Sequence, residues 1–398
     1  MVGMHATTTD TGAALRSRPK LLRDLSSPWH ALSNLTPNWF ASVMGTGIIA
    51  NAAVGLPIQV PGVRTAAAAF WSVAVALLMV LTAATVAHWV RYPAFARRHH
   101  SDPVIGNFYG ALAMAFLTVG IGAVTVGQDW IGRTAAVAMG TVLWGIGTVL
   151  GLVVAVALPV LMHRGGHYRA DHAFAGWLMP VVSPMVTAAA GAVLMPYAPA
   201  GAPRSALLWL CYGCFGFTVI ASAIVVPLVV RRLLRGPSWT ATMVPTTWIV
   251  LGPLGQSITA ANGLGATAHL AAPPDTAVTL QRWGVEYGWA VTVAVLMWTA
   301  VALVLTARTA LATPEGLPYA LTWWSFTFPV GTCATGFSAM YKATGAIGFA
   351  VLAIVFFLGL VAGWCIAARG TLTRALVSGA LLRHPELTER NAQANTLA

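Results

Sequence analysis

Long apolar runs alternate with short polar segments along most of the chain. A helix needs roughly 20 consecutive apolar residues to cross a bilayer core about 30 Å thick. Ten runs reach or approach this length, so the pattern predicts an all-α integral membrane protein with ten transmembrane helices. The predicted spans are 38–56, 66–90, 107–126, 134–162, 173–196, 204–230, 241–271, 281–307, 319–341 and 345–368.

The polar segments between these runs are too short to hold a folded soluble domain. The chain is therefore predicted to consist of a cytoplasmic N-terminal tail (1–36), a ten-helix transport domain (37–368) and a cytoplasmic C-terminal tail (369–398). The first apolar run follows a basic stretch and carries no small-residue cleavage site, so it is predicted to be a span and not a cleaved signal.

Proline and polar residues concentrate in the odd-numbered spans. Proline inside a transmembrane helix frees backbone groups, which is tolerated where protein or a water-filled cavity satisfies them. We expect helix kinks at four prolines of odd spans: Pro180, Pro184, Pro253 and Pro329. The polar residues expected to line a pathway are Asn38, Thr46, Asn51, Asn107, Ser183, Thr246, Gln256, Thr327 and Thr332.

The alternation of polar odd spans with aliphatic even spans predicts five consecutive helical hairpins around a central pore. In this arrangement the odd helices are inner and the even helices are outer. An ordinary bundle whose odd helices are simply the buried ones would give the same pattern, and the sequence does not separate the two.

Composition supports the membrane assignment and orients the chain. The 398 residues are 58% hydrophobic and 8% charged, whereas a soluble domain carries about 25% charged residues. The net charge of +12 does not indicate a nucleic-acid partner, because the cations lie in short clusters between apolar runs. With the N-terminus inside, 17 of the 22 Lys and Arg residues fall in inner segments, which predicts that both termini are cytoplasmic.

The span centres lack the groups that several other function classes require. Glu286 is the one acid within a predicted span, and its spacing from Arg282 favours an i,i+4 ion pair. Cys211 and Cys214 form a C-x-x-C inside an apolar run, which favours packing over metal binding. No metal or cofactor is predicted, and no P-loop, H-E-x-x-H or G-x-S-x-G motif indicates an enzyme.

Uncharged span centres with hydroxyl and amide groups favour a small anion as the substrate, since these groups donate hydrogen bonds. The alternative is a proton-coupled exporter of drugs or toxic ions, which would need an intramembrane acid. Glu286 is the one residue that could serve in that role. A membrane-embedded enzyme would need clustered His, Asp and Glu at one depth, and the sequence shows no such cluster.

Two stretches carry a family resemblance. Residues 37–47 read Pro-Asn-Trp-Phe-Ala-Ser-Val-Met-Gly-Thr-Gly, and residues 323–329 read Trp-Trp-Ser-Phe-Thr-Phe-Pro. With ten spans and short loops, the chain resembles the tellurite-resistance/dicarboxylate transporter (TDT) family from about residue 36 to 368. This family includes malate permeases, sulfite exporters and slow-type anion channels.

The resemblance implies five hairpins around a pore, a homotrimer in the plasma membrane with one pore per subunit, and a pore plug contributed by a phenylalanine of the ninth helix. That role falls on Phe328, directly before Pro329, with Phe326 as the second candidate. The resemblance leaves the substrate open between malate-like C4-dicarboxylates and sulfite or chloride-like anions. A dicarboxylate is expected to need an Arg or Lys partner in the pathway, and no span centre carries one.

Overall fold

The structure is a computed structural model that describes residue 22 and residues 31–166, 169–235, 239–314 and 316–383. Throughout these residues the regular secondary structure is helical. Five cations that contribute to the inner-segment charge, Arg16, Arg18, Lys20, Arg23 and Arg390, lie outside the described residues. The N-terminal tail and the end of the C-terminal tail are therefore described only in part.

Ten helices of fourteen residues or more make up the described part of the chain. Their bounds are α1 Phe40–Gly55, α2 Val63–Arg91, α3 Tyr109–Gly122, α4 Arg133–Arg164, α5 Leu178–Leu194, α6 Ala202–Arg235, α7 Leu251–Thr267, α8 Pro274–Ala312, α9 Phe328–Thr344 and α10 Ile347–Leu372.

Seven helical segments of the described chain are long and apolar enough to cross a membrane. They contain α2, α4, α6, α8 and α10, together with α3 and α5 and their short flanking turns. The other three helices, α1, α7 and α9, have 16, 17 and 17 residues. Four even helices extend beyond their predicted bounds at both ends, and α10 does so at its C-terminal end. The odd helices are shorter than predicted because each begins after a 3₁₀ segment.

A short 3₁₀ segment precedes each odd helix. These five segments, which we call the collar, are Pro37–Trp39, Gly106–Phe108, Ala175–Trp177, Val244–Val250 and Leu321–Phe326. The collar segments that precede α1, α3, α5, α7 and α9 pack against one another in that order. The segment before α9 also packs against the segment before α1, so the five form a closed ring. The spans predicted from hydropathy include most of these residues in the odd helices, because the 3₁₀ segments are as apolar as the helices that follow them.

The collar also changes the interpretation of the prolines. Pro184 lies inside α5, as expected for a kink. Pro180, Pro253 and Pro329 instead lie in the first turns of α5, α7 and α9, so they are corrected from mid-span kinks to helix-start residues. The first backbone N–H groups of a helix have no intrahelical acceptor, and a residue without an N–H loses nothing there.

The odd helices repeat the ring formed by the collar. Among the described residues, α1 packs against α3, α3 against α5, α5 against α7, α7 against α9 and α9 against α1. Each even helix packs against the odd helix before it. Burial follows the same division: 17–33% of residues are buried in the apolar windows of the even helices, against 78% and 94% for the segments containing α3 and α5.

The outer surface formed by the even helices is apolar. Val80, Val153, Ile220, Val304 and Leu358 are each more than 45% exposed, and all lie on even helices. Water would disfavour so much contiguous apolar surface, whereas lipid chains cover it without cost. The chain is therefore a multi-pass membrane protein whose even helices carry the lipid-facing surface.

The Gly-Thr-Gly sequence of α1 connects three neighbouring helices. A Cβ on Gly45 would collide with the Thr327 hydroxyl and the Trp324 ring, and a Cβ on Gly47 would lie 2.9 Å from the Thr118 methyl group. Between them, the Thr46 hydroxyl accepts a hydrogen bond from the Trp364 indole of α10 at 2.9 Å. The two glycines thus permit close approach of α1 to both of its ring neighbours.

The C-terminal segment is more structured than the predicted boundary at residue 368 suggests. Helix α10 continues as a π-helix over Thr373–Val377, followed by a short 3₁₀ turn at Ala380–Leu382. The Asn34 side chain donates hydrogen bonds to the Leu381 and Arg383 carbonyl oxygens, each at 3.3 Å. The two predicted tails therefore contact each other where they leave the helical domain.

Candidate functional site

A narrow cavity lies on the axis of the ring, where the collar meets the odd helices. Its volume is about 20 Å³, which is room for about one water molecule. All five odd helices or their collar segments contribute to its wall. The lining residues are Ala41, Met44, Phe108, Met114, Met179, Val182, Ile249, Gly252, Trp324, Ser325, Phe328 and Pro329. The axis is thus constricted here by apolar side chains.

Phe328 is the first residue of α9 and is 3% exposed. The backbone before it breaks at Thr327, whose φ of −102° and ψ of −81° lie outside the helical region. The Thr327 hydroxyl donates to the Trp324 carbonyl oxygen at 2.6 Å and so stabilises this break. The interruption directs the Phe328 ring into the narrow cavity.

Phe326 lies in a different environment from Phe328. Its ring contacts Trp248 and Trp323 in edge-to-face geometry, with centroid distances of 5.5 Å to each. Its backbone and Cβ lie beside Gly363 of α10. Phe326 therefore packs between the collar and an outer helix, and it does not line the narrow cavity.

A wider cavity opens beyond the constriction, between the C-terminal halves of the same five helices. We call it the vestibule; its volume is about 550 Å³. All five odd helices contribute to its wall, and its Asn, Gln, Ser and Thr side chains come from α1, α7, α9 and the helical segments that continue α3. They are Asn51, Thr125, Gln128, Gln256, Thr259, Thr267, Thr335 and Ser338. The two cavities follow one another along each odd helix, separated by about one to two turns.

Gln256 is the polar group of the vestibule wall nearest to the constriction on α7. It is 3% exposed, and within the described chain its Oε1 has no hydrogen-bond partner. The Ser338 hydroxyl on the vestibule wall is likewise buried without a partner. Because a buried polar group without a partner costs about 1–3 kcal/mol, both groups are available to a hydrated ion or a water molecule in the cavity.

Several other polar groups of the vestibule wall are hydrogen-bonded. The Thr259 and Thr335 hydroxyls lie 2.8 Å apart and connect α7 to α9. Asn51 Nδ2 donates to the Thr118 carbonyl oxygen at 3.1 Å and connects α1 to α3. These contacts hold the wall together, whereas Gln256 Oε1 and the Ser338 hydroxyl are buried on it without a hydrogen-bond partner in the described chain.

Two cations lie at the open end of the vestibule. Arg64 forms an ion pair with Asp129, whereas Lys342 has no ion-pair partner within the described residues and is exposed. Glu286 lies outside the ring and pairs with Arg282 at 2.8 Å, with its side chain 61% exposed. The expected ion pair is present, and no carboxylate lines either axial cavity in the described chain.

Of the nine polar residues predicted to line a pathway, Asn51 and Gln256 lie on the vestibule wall. Asn38 is buried in the collar with its Oδ1 unpartnered. The other six donate hydrogen bonds to backbone carbonyl oxygens: Thr46, Asn107, Ser183, Thr246, Thr327 and Thr332. Helix pattern alone does not distinguish a hydroxyl that satisfies a nearby carbonyl from one that faces a cavity.

Apart from Phe328 and Pro329, the residues that form the apolar wall of the constriction were not predicted from the sequence. Phe108, Trp324 and three methionines contribute to it, each from a different helix or collar segment. The aromatic residues could have been found from their position in the collar, since each lies within four residues before the start of an odd helix. The methionines carry no sequence signal, because a flexible apolar side chain is also common in ordinary packing.

Comparison with known proteins agrees with this geometry. The family model for voltage-dependent anion channels matches residues 34–372, which contain all ten helices. The chain belongs to this family. The resemblance to TDT transporters and slow-type anion channels is thereby confirmed.

Curated relatives of this voltage-dependent anion channel family member include transporters from archaea and fungi. An uncharacterized transporter of Methanocaldococcus jannaschii is 26% identical over 344 residues, which cover 85% of this chain and 94% of the relative. The sulfite efflux pump of Arthroderma otae is 25% identical over 341 residues, covering 84% and 89%. The sulfite efflux pump of Trichophyton rubrum is 24% identical over 340 residues, covering 84% and 89%.

Proposed function

We propose that this protein exports a small inorganic anion of the sulfite class through the axis of the ring. Ten helices would cross the membrane as five hairpins, with the odd helices enclosing the pathway. The observation that carries the proposal is that both axial cavities are lined by all five odd helices. An ordinary bundle would not be expected to have two successive cavities on one axis.

The electrostatics of the pathway favour an anion. Five helix N-termini surround the constriction, and a helix N-terminus carries a partial positive charge. Lys342 and Arg64 lie at the open end of the vestibule, and no carboxylate of the described chain lines either cavity. A cation would meet repulsion at both ends, whereas an anion would be stabilised without being held tightly.

Sulfite is favoured over malate by the chemistry of the wall. A bound dicarboxylate would be expected to need an Arg or Lys at the depth of the constriction, and the lining there is apolar. Neutral donors such as Gln256 suit a small ion that keeps part of its hydration. Relatives named as sulfite efflux pumps support the same choice.

We propose that Phe328 is the gate of this pathway. Its ring lies in the narrow cavity, next to the backbone break at Thr327, where a small rotation of α9 would move it. The space beside it holds about one water molecule, so the pathway is closed in this conformation.

We extend the proposal to the orientation and assembly of the chain. The distribution of Lys and Arg favours cytoplasmic termini. The vestibule would then open to the outside, and the collar would face the cytoplasm. The resemblance implies a homotrimer, which a mass measurement of the purified protein in detergent or nanodiscs would test.

The experiment measures radiolabelled sulfite and malate flux in proteoliposomes containing the wild type, Phe328→Ala or Phe326→Ala. We expect sulfite flux in the wild type and about a tenfold or larger increase in Phe328→Ala, because removal of the ring opens the constriction. Phe326→Ala is the matched control, since the same truncation is made two residues away but outside the cavity.

An equal increase in both variants would contradict the gate, because it would reflect a general loosening of α9. Flux of malate but not of sulfite would show that the substrate is a C4-dicarboxylate and would contradict the choice of sulfite. If neither anion moved in any of the three proteins, the anion pathway itself would be rejected. The proton-coupled alternative would then require a role for Glu286 that its exposed ion pair with Arg282 does not support.

A further inference from the structure

A second basic pocket lies outside the ring, against the collar. Its volume is about 270 Å³. The lining residues are Pro103, Val104, His172, Phe174, Trp177, Arg232, Trp239, Thr240 and Met243. They come from the C-terminal end of α6 and from the segments before α3, α5 and α7. The pocket is therefore separate from both axial cavities and touches three parts of the chain that support the collar.

Arg232 is the cation of this pocket, and part of its guanidinium is uncommitted. Its Nη1 donates to the Ala173 carbonyl oxygen at 3.0 Å, which fixes the side chain. Its Nε is buried and has no acceptor in the described chain. The Nε edge of a guanidinium is one side of the fork that binds oxyanions with two hydrogen bonds.

Trp239 adds a second unused donor. The Arg232 guanidinium lies over the Trp239 ring, 5.7 Å from its centroid. The Trp239 indole Nε1 is buried and, like Arg232 Nε, has no hydrogen-bond partner among the described residues. Two buried N–H donors without acceptors in one pocket indicate that an acceptor group belongs there.

No carboxylate of the described chain supplies that acceptor. The charge of Asp171 acts on Arg232 through space, but the Asp171 carboxylate contacts Arg169 at 3.3 Å and His172 at 3.8 Å and forms no ion pair with Arg232. Asp102 precedes the pocket wall, and its Oδ1 accepts from the Val104 and Ile105 backbone N–H groups. The charge of Arg232 is therefore left without a close counter-ion from these acids.

We propose that this pocket binds a small oxyanion, held by the Arg232 guanidinium and the Trp239 indole N–H. The volume lies below the roughly 300–1,000 Å³ of pockets for drug-sized ligands, which suits a sulfite, sulfate or phosphate group. Because the walls come from the segments before α3, α5 and α7, a bound oxyanion would lie between α6 and the parts of the chain that lead into three collar segments. The site is independent of the proposed transport activity.

The oxyanion can come from two sources, a free ion or the phosphate of an anionic lipid, since the pocket lies near the end of a lipid-facing helix. The experiment measures thermal unfolding of the full chain in detergent with low-millimolar sodium sulfate or sodium phosphate, against sodium chloride at equal ionic strength. Low concentrations are needed because these anions also stabilise proteins through exclusion from the surface. A parallel series adds phosphatidylglycerol or phosphatidylcholine without the free anions.

The variants are Arg232→Gln and Trp239→Phe, with Arg231→Gln as the matched control. Arg231 is the neighbouring residue on α6, is exposed and lies outside the pocket. We expect the wild type and Arg231→Gln to gain about 1–3 °C from the bound oxyanion. Arg232→Gln should lose this gain, and Trp239→Phe, which removes the donor but keeps an aromatic ring, should retain a smaller part of it.

Stabilisation by free sulfate or phosphate would identify a soluble oxyanion as the ligand. Stabilisation by phosphatidylglycerol alone would identify a lipid phosphate in the same pocket. Equal increases in the unfolding temperature of the wild type and both pocket variants would overturn the proposal, as would no increase with any of the additives. The two donors would then be assigned to bound water. Loss of folding in Arg232→Gln would leave the Trp239→Phe comparison to decide.

Discussion

Gly45 illustrates how single residues set the geometry of the ring. The space that a side chain would take at Gly45 is occupied by the Thr327 hydroxyl and the Trp324 ring. The same hydroxyl donates to the Trp324 carbonyl oxygen at the break before Phe328. The packing of α1 against α9 and the position of the proposed gate therefore depend on the same contact. The Gly-Thr-Gly stretch of α1 and the Trp-Trp-Ser-Phe-Thr-Phe-Pro stretch that leads into α9 therefore touch in the folded chain.

We expect Gly45→Ala to lower stability by about 1–3 kcal/mol, the usual cost of overpacking a tight contact. Gly145→Ala in α4 is the control, because a Cβ there meets nothing within 4 Å. In a helix that control should be neutral or slightly stabilising. Thermal unfolding in detergent measures both variants, and equal effects at the two positions would contradict the close contact of α1 with α9.

Gln256 tests the charge preference of the vestibule at a single position. Replacing it with Glu introduces a negative charge beside the pathway while keeping nearly the same shape. Repulsion of an anion at close range should reduce sulfite flux by about tenfold or more, since unit charges 5 Å apart interact by roughly 3 kcal/mol at an effective dielectric constant near 20. The measurement is proteoliposome flux, best made in the Phe328→Ala background where flux is high.

Gln281→Glu is the matched control for Gln256→Glu. It makes the same charge change on the exposed surface of α8, outside both cavities. Its flux should equal that of the parent. A similar loss in both variants would indicate a general effect of negative charge, and an unchanged flux in Gln256→Glu would remove Gln256 from the pathway.

At the scale of elements, the lipid-facing helices are the part best predicted from sequence. A long aliphatic run has one stable state in a bilayer, so α2, α4, α6, α8 and α10 follow directly from hydropathy. For the odd helices, the sequence predicted their existence but not the residues at which they begin. Their collar segments are as apolar as the helices, and hydropathy does not separate a 3₁₀ turn from an α-helix. Prolines near the junctions, such as Pro180 and Pro329, were consequently assigned to helix interiors.

If ten helices cross the membrane, successive loops lie on opposite sides of it and differ in their access to a membrane-impermeant reagent. In a cysteine-free background, we expect Ala200→Cys, between α5 and α6, to react with a membrane-impermeant maleimide on intact cells. Ser101→Cys, between α2 and α3, should react only after the cells are opened. Both positions are exposed in the protein, so a difference in labelling reports on sidedness. Labelling of both from outside would contradict the hairpin topology.

At the scale of the whole molecule, closure of the ring joins the first and last helices of the chain. Helix α1 contacts α9, and the Trp364 indole of α10 donates to the Thr46 hydroxyl across 318 positions of the chain. A sequence pattern can indicate repeated hairpins, but it does not show that the fifth meets the first. The vestibule and the constriction exist only because of that closure, which is why Gln256 was predicted without its cavity and Met44 was not predicted.

The composition of the axial cavities leads to a prediction about driving force. Among the described residues, the ionisable groups lining them are Arg64, Tyr197 and Lys342. The described lining holds no histidine, the residue type that ordinarily titrates between about pH 5.5 and 8. Flux of chloride, whose own charge is fixed, should therefore change little across this range and should follow a membrane potential imposed by a potassium gradient with valinomycin.

A proton-coupled exporter would respond in the opposite way, with flux that follows a pH gradient and stops when a protonophore dissipates it. Recordings on Phe328→Ala proteoliposomes separate the two, because the open constriction removes gating from the comparison. Glu286→Gln supplies the matched control, since it removes the acid on which proton coupling would depend and leaves both cavities intact. Voltage-driven flux that is unchanged in Glu286→Gln supports an electrodiffusive anion pathway, whereas dependence on Glu286 would return the chain to proton-coupled export.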